Sequence, residues 1–116
     1  MTMDVEQLLF DLHVYSGDSG GYALTVDAVN LRLKYGEDWP ASLVALQKEL
    51  KKSHDCSYGS FQKKVKRISE IVWERNSSLL KKYAHRDLEN APGAKEFIEI
   101  LYVYILRNES SHSDIS

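Results

Sequence analysis

Apolar residues recur along this chain at steps of three and four, so the pattern is helical nearly throughout. Val5, Leu8, Leu9 and Leu12 predict a first helix over roughly 4–15. Residues 16–21, Ser-Gly-Asp-Ser-Gly-Gly, are a cluster of helix breakers and read as a loop. Tyr22, Val26, Val29 and Leu33 mark a second helix that stops near Gly36, a residue suited to a left-handed C-terminus. Asp38, with Pro40 soon after, predicts the start of a third helix, with Leu43, Leu46 and Leu50 inward. Residues 54–59 make a polar break in which Ser57 is the expected N-cap. A fourth helix follows to Trp73, with Phe61, Val65, Ile68 and Val72 as one apolar stripe. Residues 77–83 read as a short fifth helix or turn, and 85–91 as polar loop. The last helix begins near Pro92 and carries Phe97, Ile100, Leu101, Tyr104 and Ile105. The expectation is an all-α domain over 1–108, a compact bundle of about five or six helices. A flexible polar tail is expected over 109–116.

Composition narrows what such a bundle can be. The 116 residues are 43% hydrophobic and 28% charged, which suits one small folded domain rather than a disordered chain. No apolar run approaches the ~20 residues of a membrane span, and no signal-peptide pattern opens the chain. A cytoplasmic protein with no membrane partner is the resulting expectation. Cys56 is the single cysteine, which precludes an internal disulfide and a multi-cysteine zinc site.

Charge changes the picture more than composition does. The formal net charge is −2, but it is unevenly spread. Residues 1–46 hold seven acids and two bases, and 47–76 hold eight bases and four acids. The final stretch, 77–116, holds six acids and five bases. One basic segment therefore lies between acidic ones, the footprint of a polyanion partner or of a well-solvated helix face. On the fourth helix, Gly59, Lys63, Lys66, Arg67 and Glu70 fall opposite the apolar stripe.

A helix ending in lysines, a short turn and a helix with one apolar and one basic face make a helix-turn-helix. Four further motifs stand at definite places. Gly21-Tyr22 opens the second helix, and Lys51-Lys52-Ser53 precedes the turn. Ser69-Glu70-Ile71-Val72-Trp73 closes the fourth helix, and Pro92-Gly93-Ala94-Lys95-Glu96-Phe97-Ile98 opens the last. With these motifs the chain resembles the C-terminal DNA-binding effector domain of the stage-zero sporulation master regulator of endospore-forming bacteria, a response regulator. That family has Gly-Tyr at the second helix and Ala-Lys-Lys before the turn, of which one lysine is matched in place. Its recognition helix ends in a run like Ile-Glu-Val-Ala-Trp, and it carries a late Pro-Thr-Asn-Ser-Glu-Phe-Ile. From about 50 to 76 the two patterns run together without a gap. The connection before Pro92 is shorter here, and no stretch of this chain corresponds to the family's phosphorylated receiver domain.

The resemblance implies a transcription regulator that binds double-stranded DNA, with a recognition helix at about 58–75 in the major groove. Its base-reading candidates here are Gln62, Lys63, Lys66 and Arg67, all different from the family's residues at those places. Lysine lacks the rigid fork with which arginine reaches guanine O6 and N7 together. Lys51, Lys52, Ser57 and Ser60 are the phosphate candidates. Lys64 points sideways and reads as a flank contact or plain solvent exposure. The family's domain also contacts RNA polymerase. That keeps a second reading open: an interaction module, partnered by RNA polymerase or another regulator, that kept the fold and lost sequence-specific DNA binding. A monomer in solution, pairing only on DNA, is expected because no long apolar heptad offers a permanent interface.

Other chemistry is weaker. His54 and Cys56 sit two apart, but a tetrahedral zinc needs four ligands and no second pair exists. Cys56 reads as a small turn residue. A Cys56 nucleophile with His13 or His85 as base lacks any oxyanion hole or pocket in the pattern. No enzyme, metal or cofactor is expected. Trp39, Trp73, Phe97 and Tyr104 read as core or interface. Tyr102 lies off the last helix's stripe and reads as a protein contact.

Overall fold

The described residues form α1 (Val5–Asp11), α2 (Tyr22–Tyr35), α3 (Leu43–Leu50), α4 (Tyr58–Ala84) and α5 (Ala94–Ile115). The structure is a computed structural model describing residues 4–35, 43–52, 54 and 56–115, with side chains for all of these except 43, 44, 46 and 109–115. No strand occurs among the described residues, and the domain is an all-α bundle. The expectations placed on Gly36, Asp38, Trp39, Pro40 and Ser53, and on the side chains of Leu43 and Leu46, lie outside the described residues.

α1 begins where Asp4 Oδ1 accepts from the Glu6 amide at 3.0 Å, satisfying one of the free donors of the first turn. It ends earlier than its hydrophobic pattern predicts. His13 turns left-handed, at φ 68°. Its amide donates to Phe10 O at 3.0 Å, and the Val14 amide donates to Leu9 O at 2.9 Å. These two bonds make a Schellman closure, with histidine where glycine is usual. The segment beyond is held by Arg75, whose guanidinium donates to both Asp18 carboxylate oxygens, at 2.7 and 3.0 Å, and to His13 O at 3.0 Å. Asn76 Nδ2 adds a bond to Asp11 O at 3.1 Å.

α2 packs against all four other helices. It therefore buries more than the single stripe its pattern predicts: Leu24, Thr25, Val26, Ala28, Val29 and Arg32 are all buried, whereas Tyr22 and Leu33 are only half-buried. Encirclement decides this, since a helix covered on several sides has little polar face left. Just before α2 begins, the chain lies close to α4. A Cβ added at Gly21 would stand 2.5 Å from Lys64 O and 2.9 Å from its carbonyl carbon. Only a residue without a side chain fits there.

The predicted apolar stripe of α4 forms the core, with Phe61, Val65, Ile68 and Val72 all inaccessible to solvent. The helix is interrupted at Asn76 (φ −154°, ψ 55°). Residues 77–84 are thus a second limb of α4, where the pattern predicts a short fifth helix. His85, left-handed at φ 57°, stops this limb. α5 packs along α4 and α2, and its Phe97, Ile98, Leu101 and Ile105 are buried. Its backbone stays helical to Ile115, past the point where a polar tail is expected. Tyr102 is buried, in contrast to the surface contact expected of it. The Arg32 guanidinium lies 4.0 Å from its ring centroid and pairs with Glu99 at 2.9 Å, so an inter-helix ion pair covers the ring.

The two glycines facing α4 and opening it predict opposite outcomes. Gly21→Ala forces α2 away from α4 and is expected to cost about 1–3 kcal/mol, the scale of overpacking. Gly59, exposed in the first turn of α4, meets nothing within 4 Å. Gly59→Ala should stabilise by about 0.5–1 kcal/mol. Urea denaturation of both variants measures the contrast.

A second expectation concerns acid. The Arg75 guanidinium, helped by the Tyr15 amide, holds the Asp18 carboxyl below its usual range. A group with its pKa lowered by folding stabilises the fold above its unfolded pKa, and that stabilisation is lost as pH falls through the lowered value. Thermal melts taken below about pH 4 should show a smaller acid-induced drop for Asp18→Asn than for the unaltered chain.

Candidate nucleic-acid interface

α3, the turn after it and the first limb of α4 are locked together from beneath. Leu50 is buried at the end of α3. Gln47 is also buried, and its Nε2 donates to Cys56 O at 3.0 Å across the turn. The His54 amide closes on Leu50 O at 2.7 Å. His54 Nε2 meets Asp27 Oδ2 of α2 at 2.6 Å, fastening the turn to the central helix. Ser57 Oγ accepts from the Ser60 amide at 3.2 Å, the expected N-cap of α4. Cys56 is half-buried against the core, in a turn position. Among the described residues no group of three His, Cys, Asp or Glu could hold a metal ion. The turn is thus held by a buried amide from Gln47 to Cys56 O and a histidine–carboxylate pair to α2, and α4 starts on a hydroxyl cap.

Above this frame lie the basic side chains. Lys51, Lys63, Lys64 and Arg67 are exposed and make no ion pair among the described residues. Lys52 is exposed and pairs with Glu49 at 3.2 Å along the same helix end. Such an exposed pair contributes little and yields to a stronger anion. Gln62 is exposed, with Nε2 donating to the Tyr58 hydroxyl at 3.2 Å. Ser57 is exposed and Ser60 half-buried. Their caps leave the hydroxyl hydrogens as remaining donors.

Lys66 departs from the others. It is half-buried, and Nζ donates to Ala91 O at 2.8 Å and Pro92 O at 3.3 Å. Beside it the buried Ser69 hydroxyl donates to Pro92 O at 2.8 Å. Lys66 and Ser69 together satisfy the carbonyls of the segment that enters α5, a duty the outward position of Lys66 on a helical wheel does not reveal. The structure therefore leaves Gln62, Lys63 and Arg67 of α4 and Lys51, Lys52 and Ser57 at the turn exposed, and withdraws Lys66 into contact with the segment before α5.

His13 and His85, weighed as bases, occupy the left-handed stops of α1 and α4. The Arg75–Asp18 clasp and the Arg32–Tyr102–Glu99 contact have no local signal in the sequence, because their partners lie more than fifty residues apart. Phe10 does carry one: an aromatic residue off the stripe of Val5, Leu8, Leu9 and Leu12.

No helix of the described residues is long and apolar enough to cross a membrane. No family model, curated protein or solved structure matches this chain.

Proposed function

We propose that this chain is a DNA-binding transcriptional regulator whose first α4 limb, residues 58–75, enters the major groove. The observation that carries this reading is the capped α3–α4 pair with Lys51, Lys63 and Arg67 exposed and without an ion pair among the described residues. Unpaired cations on one face suit a polyanion, and a rigidly angled helix suits a groove. In this reading Lys51, Lys52 and Ser57 position the domain on phosphates, and Gln62, Lys63 and Arg67 meet base edges. Lys66 is a positioning residue that holds α4 to the entry of α5. The reading is of a binding protein rather than an enzyme, needing no metal or cofactor. A cytoplasmic role in sporulation control, and contact with RNA polymerase, rest on the family resemblance alone.

The exposed Phe10 and Tyr15 favour the second reading, a protein-interaction module on the same fold. Fluorescence anisotropy with mixed duplex DNA at low and moderate salt separates the two. Binding at low salt is expected. Lys51→Ala with Lys52→Ala should weaken binding to all duplexes alike and flatten the salt dependence by about one unit per lost phosphate contact. Arg67→Ala should cost about 1–3 kcal/mol on a site selected from random duplexes and far less on unselected DNA. Lys66→Ala should instead lower thermal stability and leave sequence preference in place. No binding at low salt, or binding indifferent to Lys63→Ala with Arg67→Ala, returns the fold to the interaction reading.

A further inference from the structure

On a different surface, α1, the second limb of α4 and α5 enclose a groove lined by Phe10, Asp11, His13, Tyr15, Leu79, Tyr83 and Tyr104. Two aromatic pairs stand in it. Phe10 and Tyr15 meet edge to face with centroids 5.5 Å apart, and Tyr83 and Tyr104 stack at 3.8 Å. Phe10 is 58% exposed and Tyr15 45%, the two most exposed large hydrophobic residues described. Leaving such rings in water is unfavourable, and nothing in the described fold covers them.

The charge of the groove indicates what would cover it. Asp11 is the charged carboxylate of its lining, and no lysine or arginine lines it. Asp11 Oδ1 accepts from Gln7 at 3.1 Å, and Oδ2 has no donor among the described residues. Burial first, then Tyr104 and Asp11, push the Tyr83 phenol upward, so its hydroxyl stays protonated. Along residues 4–18 the charged side chains are Asp4, Glu6, Asp11 and Asp18, of which Asp18 is already engaged by Arg75. Ring faces and a free carboxylate oxygen together attract a cation. The planar guanidinium fits best, because it stacks on rings and forks onto a carboxylate. The groove is too open to bury a free small molecule, which binding normally requires. A side chain delivered by a larger surface, which then shelters Phe10 and Tyr15, meets both conditions.

We propose that the groove of Phe10, Asp11, Tyr15, Tyr83 and Tyr104 docks an arginine-bearing basic segment of a protein partner. This docking is independent of DNA binding, since none of these residues belongs to the 51–67 face.

The test is NMR titration of the full chain with acetyl-Leu-Arg-Leu-amide and with the same peptide carrying citrulline, a neutral isostere of arginine. Saturable shifts at residues 10–15, 79–83 and 104 are expected with the arginine peptide. The citrulline peptide should bind about three- to tenfold more weakly, and Asp11→Asn should weaken the arginine peptide about threefold. Tyr15→Leu, which keeps the apolar surface but removes the ring, should weaken it similarly. Equal binding of the two peptides, or shifts confined to other surfaces, overturns the proposal. So does movement of the groove resonances with protein concentration alone, which makes a second copy the occupant. The peptide comparison uses the unaltered chain and stands whether or not the variants fold.

Discussion

At Gly21, immediately before α2, the backbone lies so close to the backbone of α4 that no Cβ fits between them. A side chain there would meet the Lys64 carbonyl, so the absence of a Cβ sets how closely the central helix approaches the basic one. Thr25 strengthens the start of α2 by donating its buried hydroxyl to Gly21 O at 2.8 Å. Because α2 also packs on α1, α3 and α5, its depth against α4 propagates to every other helix. Close packing leaves few alternative arrangements once one such contact is fixed.

The long α4 then divides the molecule into two working regions. Its first limb stands on the α3 turn, held by Gln47, His54 and the Ser57 cap. Its second limb, beyond Asn76, builds the aromatic groove with α1 and α5. Arg75 and Asn76 sit between the two and bind the end of α1 and the loop after it. The interruption of α4 thus coincides with the side-chain contacts that Arg75 and Asn76 make to the end of α1 and the segment after it. Polar contacts at the junction replace the helical bonds lost there.

Ion pairs in this fold follow the same division. Arg32 with Glu99, and Arg75 with Asp18, join elements distant in sequence. Arg86 pairs with Glu96 across the loop into α5, and Lys81 with Asp87. Exposed pairs of this kind contribute modestly to stability. Arg32 is the exception, for its guanidinium is nearly buried, stacked on Tyr102 and paired with Glu99. Lys51, Lys63 and Arg67 of the α3–α4 face make no such pair among the described residues.

Local sequence determined the helices and much of their inward faces. Phe61, Val65, Ile68 and Val72 were legible because helical period and solvent avoidance act within one turn or two, and so was the Ser57 cap. The end of α1 was not, since apolar period continues past Asp11 and only the left-handed His13 and the Arg75 clasp stop it. Tyr102 reads as surface from its helix alone and is buried because Arg32 and Glu99 close over it. Lys66 reads as one more outward lysine, and only the return of Ala91 and Pro92 to α4 gives its ammonium carbonyls to bind. The basic composition of the α3–α4 face was thus a property of the sequence. Which of its cations remain free, and that Phe10 and Tyr15 meet Tyr83 and Tyr104, were decided by contacts between segments distant along the chain, which no local period encodes.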